Sequence, residues 1–145
     1  GVLAMTERAN YPYFTDITTR WMDNDIYGHV NNVVYYSYFD SVANKYLIEE
    51  GGLDIQQAKV IGFVVASACE YKSPIAYPEP IEAGFRVNKL GNSSVEYGIA
   101  IFQQGQPTAS AVGTFTHVFV DRATDKSVAI PAQIRLALEA VLVGE

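Results

Sequence analysis

The chain has 145 residues, the usual size of one domain, and its 49% hydrophobic and 18% charged residues are the balance of a globular protein, not a disordered one. A net charge of −6 excludes a general nucleic-acid binder, which needs a basic field to neutralise phosphates, although a few local cations can still hold a phosphate-bearing ligand. Cys69 is the single cysteine, which excludes an intramolecular disulfide and a cysteine-rich zinc site.

No apolar run approaches the ~20 residues of a membrane span. Gly1 to Asn10 lacks the basic-then-apolar order of a secretory signal. A cytoplasmic protein forming one domain over residues 1–145 is the expectation. In chain order, Tyr13 to Trp21 is rich in Thr, Ile and aromatics and reads as a strand. A polar, Gly-containing stretch follows from Asp23 to Asn32. Val33 to Glu50 then runs without Gly or Pro and stops at Gly51-Gly52, so a helix is predicted. Its apolar stripe is wide: Val34, Tyr38, Val42 and Leu47 on one side, with Tyr35, Phe39, Ala43 and Tyr46 close by. Burial over much of its circumference is expected.

Phe63 to Lys72 is a β-rich run. Ile81 to Leu90 alternates Ile81, Ala83, Phe85 and Val87 with Glu82, Gly84, Arg86 and Asn88. Gly91-Asn92 turns into Ser94 to Gln104, and Gly105-Gln106-Pro107 turns into Thr108 to Asp121. A short helix, Pro131 to Leu142, carries Pro at its first turn. One long helix against a five-stranded, mostly antiparallel sheet, its last four strands in hairpin sequence, is an α+β architecture.

The informative segment is Arg20-Trp21-Met22-Asp23-Asn24-Asp25-Ile26-Tyr27-Gly28-His29-Val30-Asn31-Asn32, between the first strand and the long helix. Gly28 permits a tight turn or close approach of a ligand to backbone, and Asn31 or Asn32 can cap the helix. The helix start offers N–H groups that favour negative charge. A carboxylate near such a start suits acyl transfer: the amides hold a developing oxyanion, and the carboxylate activates water or attacks the carbonyl. Read from the residues alone, Asp25 fits a turn aspartate as well as a catalytic one. His29 fits an orienting group as well as a packed, hydrogen-bonded histidine. Asp23 reads as structural, paired with Arg20, and His117 as a satisfied strand histidine. The two histidines with scattered carboxylates make no metal motif. Cys69 reads as a packing residue.

The pattern Asp23-x-Asp25-x-x-Gly28-His29-Val30-Asn31-Asn32, followed by Tyr35-x-x-Tyr38-Phe39-Asp40, resembles the signature of the 4-hydroxybenzoyl-CoA thioesterase family, and the likeness extends to strand order and to His117-Val118-Phe119-Val120-Asp121. The resemblance implies a hotdog fold, a sheet curled around one long helix, and hydrolysis of an acyl-coenzyme A to free acid and CoA. It maps the catalytic carboxylate to Asp25, with His29 beside it, and the oxyanion amide to Asn32 or Val33. Ile26-Tyr27-Gly28-His29 stands where some members carry Pro-Ala-Gly and an apolar residue. The chain is therefore similar to the Gly-His-Val-Asn-Asn branch, whose members act on varied fatty acyl-CoAs.

The resemblance further implies that Gly28, Asn31 and Val33 approach substrate and that Lys89, Ser93 and Ser94, at the hairpin turn, contact the nucleotide. An ordinary solvated turn explains those three equally well. Arg86, Lys72 and Arg122 supply further cations. The helix and second strand would line an acyl pocket with Tyr35, Tyr38, Phe39, Phe63 and Val65, residues that core packing explains too. No metal or redox cofactor is implied. A homodimer or homotetramer with sites between subunits is expected, because one sheet curled on one helix leaves an edge to be covered. Two other functions remain compatible with the fold: an enoyl-thioester hydratase or dehydratase using Asp25 and His29, against which the chain lacks an Asn-Pro between them, and a non-catalytic acyl-CoA binder.

Overall fold

Strand follows helix where the sequence pattern changes from a period of 3.6 to one of 2. The structure, a computed structural model, describes residues 6–20, 23–24, 28, 32–54 and 56–143, with the backbone only for Asn32 and Val33. After a short 3-10 turn, Arg8–Asn10, the elements are β1 (Tyr13–Ile17), α1 (Asn32–Glu49), β2 (Val60–Tyr71), β3 (Ile81–Leu90), β4 (Ser94–Gln103), β5 (Ala111–Asp121) and α2 (Ala132–Glu139). The strands form one antiparallel sheet in the order β1-β3-β4-β5-β2. This is the hotdog arrangement.

Two expectations about the strands are corrected. β2 does not form a hairpin with β3. It pairs with β5 at one edge, Tyr71 opposite Ala111 and Phe63 opposite Val118, while β3 lies beside β1 at the other. The connection 72–80 carries Pro74, Pro78 and Pro80, which suit an extended crossing and not a tight hairpin. β1 is also shorter than predicted. It ends at Ile17, whose partner Ile81 opens β3 directly after Pro80, and proline offers no N–H to extend the ladder. Trp21 lies outside the described residues.

α1 lays Tyr35, Tyr38, Phe39, Val42, Ala43, Tyr46 and Leu47 on the inner face of the sheet, against Phe85, Tyr97, Ile99, Phe115 and Phe119. Full burial of a large apolar side chain contributes about 1.5–3 kcal/mol, so this face holds the layers together. The helix comes close because β5 has Gly113 beneath it: a Cβ there would sit 2.5 Å from the Phe39 ring. The expected burial around most of the circumference is not found. One sheet covers one side, and Tyr36, Ser37, Asp40, Ser41, Lys45 and Ile48 are exposed.

The outer face carries a second, smaller cluster that periodicity did not reveal. Tyr11, just after the 3-10 turn, packs with Phe14, Ala100, Phe102, Ala109 and Val112. Arg8 stacks on Phe14 and Phe102, its guanidinium carbon 5.0 and 4.9 Å from their ring centres, and pairs with Glu82 at 3.0 Å. No helix among the described residues is long and apolar enough to cross a membrane.

Candidate active site

The first strand leaves the sheet at Ile17, and its continuation is held by short, local polar contacts. Thr19 Oγ1 donates to the Glu79 carbonyl at 3.1 Å. Asp23 turns back on Arg20: the Arg20 backbone N–H donates to Asp23 Oδ2 at 2.9 Å, and Nε and Nη2 donate to Oδ1 at 3.1 and 3.0 Å. From α1, the Tyr38 hydroxyl donates to the same carboxylate at 2.8 Å. Asp23 is 1% exposed. Burial by itself would raise its pKa, but the hydrogen bonds from Tyr38 and Arg20 and the Arg20 charge outweigh it and hold the carboxyl below its ordinary value. The sequence reading of Asp23 as an Arg20 partner is thus met, with Tyr38 as an addition it did not foresee. Next in the chain, Asn24 Oδ1 accepts the Tyr77 N–H at 3.0 Å, tying the segment to the proline-rich crossing.

Asp25, His29 and Asn31 lie outside the described residues. Gly28 is described and has φ +78°, a left-handed conformation that a side chain would strain. α1 starts at Asn32, in agreement with a helix that begins at or beside Asn32 and Val33, and its first turn holds no acidic residue. The positive end of that helix dipole is therefore not neutralised by its own side chains. Tyr35, one turn in, is buried and packs edge-on against Tyr71, ring centres 5.2 Å apart. Burial pushes the phenols of Tyr35 and Tyr71 up to about 12, so both are neutral at physiological pH. Burial also raises the Cys69 thiol, which argues against a thiolate nucleophile there.

Phe63 does not face α1. Its opposite number is Val118, one position from the inward-facing His117 and Phe119, so Phe63 points from the outer face and is 61% exposed. Within one chain this register sets Phe63 on the face opposite Tyr35, Tyr38 and Phe39, the helix residues expected to line an acyl pocket with it. Val65 sits at a break in register between Val64 and Ala66 and is also exposed. Arg86 is likewise not a surface cation. It is buried under Tyr11, its guanidinium carbon 5.2 Å from the ring, and it donates to Asn88 Oδ1 at 2.8 Å and to the Asn10 carbonyl at 3.2 Å. Lys72 pairs with Glu70 at 2.6 Å. Arg122 Nη1 reaches the Gln56 carbonyl at 3.5 Å, and the residue is exposed.

The β3–β4 turn is well braced. Gly91 N–H donates to the Ser94 carbonyl, Phe119 N–H to that of Ser93 and Ile130 N–H to that of Asn92. Arg135, from α2, donates Nη2 to the carbonyls of Gly91 at 2.6 Å and Asn92 at 3.1 Å. Sequence reasoning missed Arg135 because nothing local signals a helix docking on a distant turn. Lys89 is exposed, and Ser93 and Ser94 are half-buried. This turn and the start of α1 stand at opposite ends of the sheet. Tyr71, which packs on Tyr35, pairs with Ala111, whereas Ser94 pairs with Val118. At ~3.3 Å per residue along β5, those rows are roughly 20 Å apart. A single chain therefore does not bring Lys89, Ser93 and Ser94 together with the start of α1.

The hotdog sheet is that of a recognised class, and the chain belongs to the thioesterase-like superfamily, whose profile it matches over residues 19–138. The crystal structure of the PA5185 protein from Pseudomonas aeruginosa strain PAO1 superposes with a TM-score of 0.94 at 55% identity, covering 96% of this chain and 97% of that one. The long-chain acyl-CoA thioesterase FadM of Escherichia coli (strain K12) is 27% identical over 128 residues, 86% of this chain and 96% of FadM. YsmA of Bacillus subtilis (strain 168) is 22% identical over 88 residues, and that match spans 59% of its length.

Proposed function

We propose that the chain is an acyl-CoA thioesterase of the Gly-His-Val-Asn-Asn branch of the 4-hydroxybenzoyl-CoA type, acting on fatty acyl-CoA in the cytoplasm. The observation that carries this reading is the start of α1 at Asn32, free of acidic residues in its first turn and joined through Tyr38 and Asp23 to the segment that continues into Asp25. The similarity to FadM supports the acyl-CoA substrate class. In the proposed reaction the thioester carbonyl oxygen lies against the backbone amides of Asn32 and Val33, which stabilise the charge it acquires. Asp25 takes a proton from a water as that water attacks the carbonyl carbon, or attacks it directly to give an anhydride that water then opens. Collapse of the tetrahedral species breaks the C–S bond and expels CoA as thiolate, which is then protonated. Gly28 and Asn31 border the carbonyl, and His29 orients it or Asp25. Water, a base and an oxyanion site suffice, so no metal or redox cofactor is required.

The active unit in this reading is at least a dimer. β2 lies at the sheet edge, and Phe63, Val64 and Val65 on it are exposed. Such an edge invites pairing. Antiparallel pairing of β2 with its own copy about a two-fold axis reverses the strand, so the Phe63 end of one subunit lies beside the Tyr71 end of the other. The β3–β4 turn of one subunit then approaches the α1 start of its neighbour, which joins the two half-sites that one chain keeps apart.

The deciding experiment is a thiol-release screen with acyl-CoAs of graded chain length and one aromatic acyl-CoA. Steady thiol release on fatty acyl-CoAs is expected. Loss of enoyl absorbance without thiol release would point to a hydratase, and retention of ligand with neither signal to a binding protein.

A further inference from the structure

A buried carboxylate is costly unless its hydrogen-bond capacity is met, and a well-packed apolar pair stabilises a fold at least as well as a buried ionic one. Asp23 is buried, accepts from Tyr38 and three times from Arg20, and sits between two other anchors, Thr19 on Glu79 and Asn24 on Tyr77. Such an arrangement fixes geometry more than it adds stability. α1 itself is already seated by Phe39 on Gly113, so what needs placing is the loop relative to the helix.

We infer that Asp23 and Tyr38 are positioning residues that set the separation between the catalytic carboxylate and the oxyanion amides. This rests on the reading of Asp25 as that carboxylate. Asp25 follows Asp23 by two residues, and two residues of chain reach at most about 7 Å. Tyr38 lies six residues into α1 from Asn32, about 9 Å along the axis at 1.5 Å per residue. The 2.8 Å bond between Tyr38 and Asp23 is thus a strut from α1 to the loop, two residues before Asp25 in the chain. Release of the strut shifts the carboxylate without removing it, and a displacement of about 1 Å is enough to cost a large factor in rate.

The test is Tyr38→Phe, which removes one hydroxyl. Its kcat should fall about tenfold while KM for acyl-CoA stays within about twofold and the melting temperature moves by only a few degrees. In the Asp25→Asn background, measured under single-turnover conditions, the same change should cause no further loss. An unchanged kcat in Tyr38→Phe overturns the inference, as does an equal loss in the Asp25→Asn background. Wild-type turnover by Asp25→Asn alone would instead overturn the catalytic assignment beneath it. Should Tyr38→Phe not fold, Arg20→Lys serves, since the Arg20 side chain is 61% exposed. It should lower kcat about threefold at unchanged melting temperature, and an unchanged kcat there also overturns the inference.

Discussion

His117 and Tyr97 meet in the core, Nδ1 to Oη at 3.0 Å, in the layer between sheet and helix. Aromatic rings of Phe115 and Phe119 enclose the imidazole, and the residue is 1% exposed. Burial depresses its pKa to about 4, and the exposed Asp40 opposes that only in part. The folded state holds the imidazole neutral, while the unfolded chain takes up a proton near its ordinary 6.5. Stability is therefore full above about 6.5, declines as pH falls toward 4, and loses on the order of 3 kcal/mol across that window. Urea unfolding at pH 7, 5.5 and 4 should show the decline, and His117→Gln should flatten it.

Asp25→Asn keeps side-chain shape and deletes the charge. Assistance by a positioned base contributes typically ~10²–10⁴-fold, so turnover should drop by that order while melting stays near wild type. Hydrolysis of every active acyl-CoA at the wild-type rate would refute the assignment.

Ser93→Asp with Ser94→Asp places two negative charges on a turn that three backbone hydrogen bonds and Arg135 hold in place. KM for acyl-CoA should rise severalfold through repulsion of the nucleotide phosphates. A short thioester without the nucleotide should be hydrolysed as before. Equal effects on both substrates would remove this turn from the substrate site.

Subunit sharing has its own signature. Mixing Asp25→Asn subunits with Ser93→Asp/Ser94→Asp subunits, after dissociation and reassociation, should restore activity at low substrate to about a quarter of wild type. Half the dimers are then mixed, and each carries one site with both intact halves. No gain over the separate variants would place both halves of the site in one chain. Sedimentation velocity of the wild type should show a multiple of the 15.9 kDa chain mass.

The residues of α1 and of β3 to β5 announced themselves through period and turn chemistry, and their limits agree with the sequence reading closely except for β5, which starts at Ala111 where Thr108 was expected. Failures came where a contact is remote in sequence. Ile61, Phe63 and Val65 are as apolar as Val60 and Val64, so alternation could not say which set faces the helix, and only pairing with β5 settles it. Arg86 looked like a solvent-facing member of an alternating strand until Tyr11 folded over Gly84 and covered it. The Asp23–Arg20 pair was readable because its partners are three residues apart. Tyr38, on another element, was not.

The crossing between β2 and β3 also fixes a schedule. β1, α1 and β2 are synthesised before any strand they pair with exists, and the β3-β4-β5 meander that receives them ends at Asp121. A growing chain thus carries β1 unpaired until β3 is made, and the apolar face of α1 and the edge strand β2 uncovered until β5 is made. The middle of the sheet is made last, and on the ribosome the elements made first wait for β3, β4 and β5 to shelter them.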